Sequence, residues 1–208
     1  MGIKAIETIY KGHRFRSRLE ARWAVFFDSI NLQYEYETQG FESDDGEKYL
    51  PDFYLPDEDM FIEVKPLRDG FCEEITKAIK IICIGLQKPL LVLTCIPPQS
   101  KYGSVWWHTA VGYNTISCRT IVQRVFFCTL DNKGVVHGRD FYEGAMCEDP
   151  LNELRLHNMN IFDAKHAYET RGDIFSVFDS FDDPIVEEAY TKARQARFEH
   201  GDKPIINN

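Results

Sequence analysis

Two short stretches hold the residues best placed to do chemistry. Tyr49-Leu50-Pro51-Asp52-Phe53-Tyr54 puts an acid directly after a proline at the head of an apolar run, and ten residues separate it from Glu63-Val64-Lys65. Side chains alternate along a strand, so Glu63 and Lys65 project to one side while Val64 turns to the other, into a core. If the segment carrying Asp52 pairs antiparallel with the segment carrying Glu63, the two carboxylates converge and can share a hard cation. Glu20, on a helix upstream, is a candidate third oxygen donor. Two or three carboxylates with one lysine suit phosphodiester hydrolysis. The carboxylates hold Mg²⁺ or Mn²⁺, the ion activates water and offsets charge on phosphorus, and the amine steadies that charge or orients the water. No covalent nucleophile is required. Each residue also has a plainer reading. Asp52 is then a polar strand-end residue, and Glu63 with Lys65 an exposed ion pair worth less than ~1 kcal/mol. Glu20 stands three positions after Ser17, the spacing of a capping box, and four after Arg16.

The elements that must carry these groups follow from periodicity. Phe15, Leu19, Trp23, Phe26, Phe27 and Ile30 recur at helical spacing, with Arg14, Arg18 and Arg22 down another face, and Ser17 marks the start. Gln33 to Glu37 alternates like a half-buried strand, Asp44-Asp45-Gly46 is a turn, and Lys48 to Leu55 and Met60 to Val64 are strands joined by Pro56 to Asp59. A helix is expected from about Cys72 to Gln87, then a buried strand over Leu90 to Cys95, ended by Pro97-Pro98. The order α-β-β-β-α-β predicts a sheet with helices on its faces. Beyond a boundary near residues 97–104, Thr120 to Thr129 and Val135 to Phe141 flank Asp131-Asn132-Lys133-Gly134 as a hairpin, a short helix is expected near Phe162 to Tyr168, and a last helix runs from Pro184 to Phe198. Three units result: a core over 1–98, an accessory region over 99–183, and a C-terminal helix and tail over 184–208 that packs on the core.

Composition narrows the classes. The chain has 208 residues, 44% hydrophobic and 27% charged, which excludes fibrous and disordered proteins. The most apolar stretch, Ile79 to Ile96, is broken by Lys80, Gly85, Gln87, Lys88 and Pro89, and Met1 to Lys11 holds no apolar run of signal-peptide length, so a cytoplasmic protein is expected. The six cysteines include no C-x-x-C pair, so a zinc ribbon is not spelled out and buried thiols are expected. A net charge of −9 argues against unselective coating of nucleic acid. The distribution is more informative: residues 1–24 hold six basic side chains against two acids, and residues 35–63 eleven acids against Lys48 alone. Arg16 and Arg18 are the candidates for gripping phosphates near the acids, with a solvated helix face as the alternative. Trp106, Trp107 and His108 make either a platform on which unpaired bases stack or, more often for such a cluster, a piece of core or of a partner surface. His157, Asp163 and His166 are scattered too widely for a metal site. Lys192, Arg194 and Arg197 either touch DNA or belong to a docked helix.

The order Glu20, Pro51-Asp52, Glu63-Val64-Lys65 resembles the PD-(D/E)XK nuclease superfamily. More narrowly, F-R-S-R-L-E-A-R-W-A, Y-L-P-D-F-Y-L, I-E-V-K-P and the terminal A-R-Q-A-R-F-E-H-G are similar to small bacteriophage and prophage endonucleases. The first three are also similar to the N-terminal nuclease domain of transposon end-cleaving subunits. The resemblance covers about residues 8–95 and the last helix. It implies a restriction-endonuclease-like α/β core with a central mixed sheet flanked by helices and a C-terminal extension. It also implies a Mg²⁺ or Mn²⁺ cofactor on Asp52, Glu63 and the carbonyl of Val64, with Lys65 as catalytic lysine and Glu20 as helix acid. The expected activity is DNA endonuclease, with a homodimer and a substrate-delivering partner protein as companions by analogy. An RNA-cleaving enzyme stays open. The rival class is a nuclease-fold binding protein, an inhibitor of host defence or a structural subunit, whose charge serves binding or solubility.

Overall fold

The structure, a computed structural model, describes residues 6–66, 73–99, 108–114, 119–130, 133–139 and 183–198. The chain opens with a small hairpin, β1 (Thr8–Tyr10) and β2 (His13–Phe15), too short to show a period in the sequence. Lys11 (φ 47°) and Gly12 (φ 84°) join the two strands, both left-handed as a type I′ turn requires. Helix α1 (Arg18–Ser29) begins where the Ser17–Glu20 spacing predicts. Ser17 is extended, and its hydroxyl oxygen accepts the Glu20 N–H, satisfying an orphan donor of the first turn. The helix stops in a Schellman motif. Asn31 takes φ 54°, the Leu32 N–H donates to the Phe27 carbonyl (2.9 Å), and the Asn31 N–H donates to that of Asp28 (3.3 Å).

Next come β3 (Glu35–Tyr36), β4 (Phe41–Glu42), β5 (Lys48–Tyr49), β6 (Phe53–Leu55) and β7 (Met60–Val64). The single strand expected over residues 48–55 is therefore two. Pro51 has no N–H to donate, and the chain leaves one ladder and enters another around it. β5 pairs with β4 in a separate hairpin, while β6 pairs with β3 and β7. Helix α2 (Glu73–Ala78) continues as a π-helical stretch, Ile79–Gly85, instead of a regular helix to Gln87. Four of its residues are isoleucine, whose branched side chains crowd a tight helix; the wider turn buries Ile79, Ile81, Ile82 and Cys83 together.

The main sheet is completed by β8 (Leu90–Leu93), β9 (His108–Asn114), β10 (Arg119–Leu130) and β11 (Lys133–Arg139). Its order is β11-β10-β9-β8-β7-β6-β3, and only β7 and β8 run parallel, as their connection through α2 demands. The described strands of residues 99–183 thus prolong the same sheet, and β10–β11 form the expected hairpin. Alternation along β8 defines the layers. Leu91 and Leu93 join Ile62, Val64, Ala110 and Phe127 against α1 and the last helix, α3 (Pro184–Gln195). Leu90 and Val92 join Val111 against the other helical layer, α2 and its π extension. The protein is a mixed α/β structure with helices on both faces of a mixed sheet. α3 is capped by Asp183, whose carboxylate also accepts the Thr129 N–H (2.7 Å), and Tyr190 stacks on Phe26 at 4.3 Å between ring centroids. No helix among the described residues is long and apolar enough to cross a membrane.

Candidate active site

The antiparallel register of β6 and β7 sets Phe53 opposite Ile62. One step further along both strands, Asp52 faces Glu63. An Asp52 carboxylate oxygen accepts the Val64 N–H at 2.7 Å, which presses the acid against the β7 backbone beside Glu63. Asp52 is 7% exposed and Glu63 2%. Lys65 lies on the same side of its strand as Glu63, with Nζ 2.7 Å from Glu63 Oε1. The other Glu63 oxygen accepts the Tyr49 hydroxyl, so both oxygens of this carboxylate are engaged. Tyr49 comes from β5, and the separation of β5 from β6 at Pro51 is what lets its ring fold over Glu63.

Burial is the first cause raising the Asp52 pKa well above the usual carboxylate range, and repulsion from Glu63 and then Glu20 adds to it. Burial also raises Glu63, against the pull of the Lys65 ammonium and the Lys65 and Tyr49 hydrogen bonds. Burial and the neighbouring Glu63 push the Tyr49 hydroxyl far up, which keeps it a donor at every ordinary pH. For two buried acids that repel each other, with one ammonium in contact, further positive charge at this place is stabilising. Among the described residues no group of three or more His, Cys, Asp or Glu side chains is arranged to hold a metal ion. The donors the structure brings together for a cation are the Asp52 and Glu63 carboxylate groups, all oxygen. That fits a hard divalent ion such as Mg²⁺, which keeps several waters of its own, and does not fit structural zinc.

The acids open onto a cleft of about 530 Å³ lined by Arg16, Lys48, Lys65 and Lys77 among the cations and Glu42, Asp52, Glu63 and Glu74 among the acids. Glu20 is not among its lining residues. Its carboxylate accepts the Ser17 hydroxyl (2.6 Å), the Arg16 N–H (3.1 Å) and the Tyr36 hydroxyl (2.7 Å). The structure thus gives Glu20 the capping work its spacing allows, while its charge still bears on Asp52 and Glu63. Arg16 reaches the cleft, its guanidinium paired with Glu37 at 2.6 Å. Arg18 is half-buried and lies outside the cleft lining.

His108 belongs to the core: it is 5% exposed, accepts or donates with the Tyr190 hydroxyl at 2.9 Å, and meets Trp23 edge-on. The base-stacking role is therefore closed to it, because burial leaves no face for a base. Lys192 pairs with Glu188, and Arg194 with Glu187 and the Pro97 carbonyl, so both serve the docking and surface of α3. Trp106, Trp107, His157, Asp163, His166 and the helix expected near 162–168 lie outside the described residues. Tyr49 and Lys77 were not singled out by the sequence pattern. Their signals were weak: Tyr49 stands three residues before Asp52, and Lys77 stands off the apolar face that Ile75, Ala78, Ile79 and Ile82 make.

No family model, curated protein or solved structure matches the chain. What fold and site together define is a mixed α/β protein with a buried acid pair and a lysine at the base of an open, charge-lined cleft.

Proposed function

We propose that this chain is a Mg²⁺- or Mn²⁺-dependent phosphodiesterase acting on nucleic acid, with DNA as the first substrate and endonucleolytic cleavage as the reaction. The single observation that carries this reading is the convergence of Asp52 and Glu63 across β6 and β7, with Lys65 on the Glu63 carboxylate. The arrangement of α1, the β3-β6-β7 antiparallel segment, α2 and the parallel β8 supports a restriction-endonuclease-like core.

In this reading Asp52, Glu63 and the Val64 carbonyl hold the ion. When bound, a divalent ion polarises a phosphoryl oxygen and makes water acidic enough to attack at neutral pH. Overall, water adds to phosphorus, one P–O ester bond breaks, and the departing oxygen takes up a proton. The Lys65 ammonium, 30% exposed on its side chain and fixed by Glu63, meets charge as it develops on the phosphoryl group. Tyr49 holds Glu63 in place from the other side. Arg16, at the cleft, draws the polyanionic backbone.

The deciding experiment incubates purified protein with supercoiled, linear and branched DNA, and with RNA, in Mg²⁺ or Mn²⁺, and measures metal binding by calorimetry. Cleavage that needs the metal, and metal binding that Asp52→Ala removes, support the enzyme. Wild-type protein that binds no divalent ion overturns it and leaves a binding module.

A further inference from the structure

We infer that Lys77 and Lys48 form a second anion subsite beside the acid pair, one that takes a neighbouring phosphate of the same strand, so that the preferred substrate is a polynucleotide and not an isolated phosphodiester. This deepens the reading above and rests on it.

Lys77 and Lys48 line the same cleft as Asp52, Glu63 and Lys65 but come from different elements, α2 and β5. Packing fixes those two elements against each other: Tyr49 lies in the cluster that holds Ile75 and Ala78 of α2. One turn further on, Lys80 ties the β4–β5 turn to the helical layer through Asp45 and Glu47. The two lysines therefore belong to a built wall and not to independent loops.

The state of Lys77 is the stronger observation. It is half-buried, and its own helix offers Glu73 four positions back and Glu74 three positions back, the orientation in which a glutamate–lysine pair is favourable. Yet Lys77 makes no ion pair with either, nor with any other described residue. The other cleft cations are engaged: Lys65 with Glu63 at 2.7 Å, Arg16 with Glu37 at 2.6 Å, and Lys48 loosely with Glu42 at 3.7 Å, where both side chains are well exposed. Lys77 lines the cleft with no ion-pair partner among the described residues, a partner that an incoming phosphate oxygen would supply. The catalytic lysine is occupied by Glu63, so Lys77 is free to serve substrate.

The test measures binding of a fluorescein-labelled single-stranded 12-mer by anisotropy in EDTA across a salt series, and hydrolysis of the same oligomer and of bis(p-nitrophenyl) phosphate in Mn²⁺. Lys77→Ala is expected to weaken oligomer binding about tenfold and to flatten the slope of log K against log salt by about 0.7, the contribution of one single-strand phosphate contact. In turnover the loss falls mainly on KM for the oligomer. Lys48→Ala gives a smaller change in the same direction, and Lys192→Ala, on α3 outside the cleft, matches wild type. Unchanged affinity and salt slope in the Lys77→Ala and Lys48→Ala double variant overturn the subsite. If wild type hydrolyses bis(p-nitrophenyl) phosphate but prefers it to the oligomer, the subsite also fails while the phosphodiesterase survives. If wild type hydrolyses neither compound and binds no oligomer, both fall.

Discussion

The two faces of the sheet each bury titratable groups, and they treat them in opposite ways. On the α1/α3 face, His108 is enclosed by Trp23, Phe127 and Tyr190, has one neutral hydrogen-bonding partner, and is pushed down by burial to a pKa of about 3. It stays uncharged at any pH the protein meets in a cell. On the α2 face, Asp52 and Glu63 are buried next to each other, where burial raises both and the Glu63 charge adds to the cost of ionising Asp52. A core that only had to be stable would use the first solution on both faces. The second keeps repelling acids at the floor of a cleft, an arrangement found more often at functional sites than in cores built only for stability.

The contrast predicts which face each substitution damages. Trp23→Ala empties the centre of the aromatic face, removes contacts with Phe26, Phe27, His108 and Tyr190, and leaves the Thr94 carbonyl without its indole donor. It should cost about 3–5 kcal/mol in urea unfolding. A loss below about 1 kcal/mol would mean that this face is not the stabilising one. Lys65→Ala should do the reverse, lowering the rate of DNA cleavage roughly 10²–10³-fold, about 3–4 kcal/mol of barrier, while the urea midpoint scarcely moves. Undiminished cleavage by this variant removes Lys65 from the chemistry.

The same contrast marks how far the sequence could be read. Local signals carry far: Ser17 and Glu20 set the start of α1 to the residue, and the alternation around Asp52 and Glu63 brings both acids to one cleft. These features are legible because each depends on residues a few positions apart. What depended on distant segments was not. The Tyr49 hydroxyl bonds an acid 14 positions away only because the chain breaks at Pro51 and folds β5 back over β7. His108 reads from the sequence as core, partner surface or stacking platform, and what decides for core is Tyr190, 82 positions on. The continuation of the sheet through β9 to β11 needed the pairing of β8 with β9 across a connection whose turn signals, Pro97-Pro98 among them, end one strand without naming its partner. Glu20 shows a third kind of limit: its spacing fits a cap and an acid of the site equally well, and the structure uses the carboxylate for one and its field for the other.

The smallest expected effect is on pH dependence, where the two faces must tilt stability in opposite directions. The folded-state pKa of Asp52 lies above its unfolded value, so between the two the native protein holds the extra proton. In the absence of divalent ions, stability then falls as pH rises out of the usual carboxylate range. Asp52→Asn keeps an oxygen for the Val64 N–H and removes the charge. It should stabilise the metal-free protein at pH 8 by about 1 kcal/mol and erase the rise in melting temperature that Mg²⁺ gives wild type. His108 works the other way. Its folded pKa lies below the unfolded value, so its contribution is complete above about pH 6.5 and declines as the unfolded state takes up a proton. Between pH 7.5 and 5.5 this amounts to about 1 kcal/mol, and His108→Phe should flatten that part of a stability profile recorded by urea unfolding. Because burial is the cause of the shift and no charged group contributes to it, no ion pair offsets the slope. An acid limb that survives the substitution would show that His108 is hydrated in the native state, and the aromatic face would then be less closed than the cleft face it is set against.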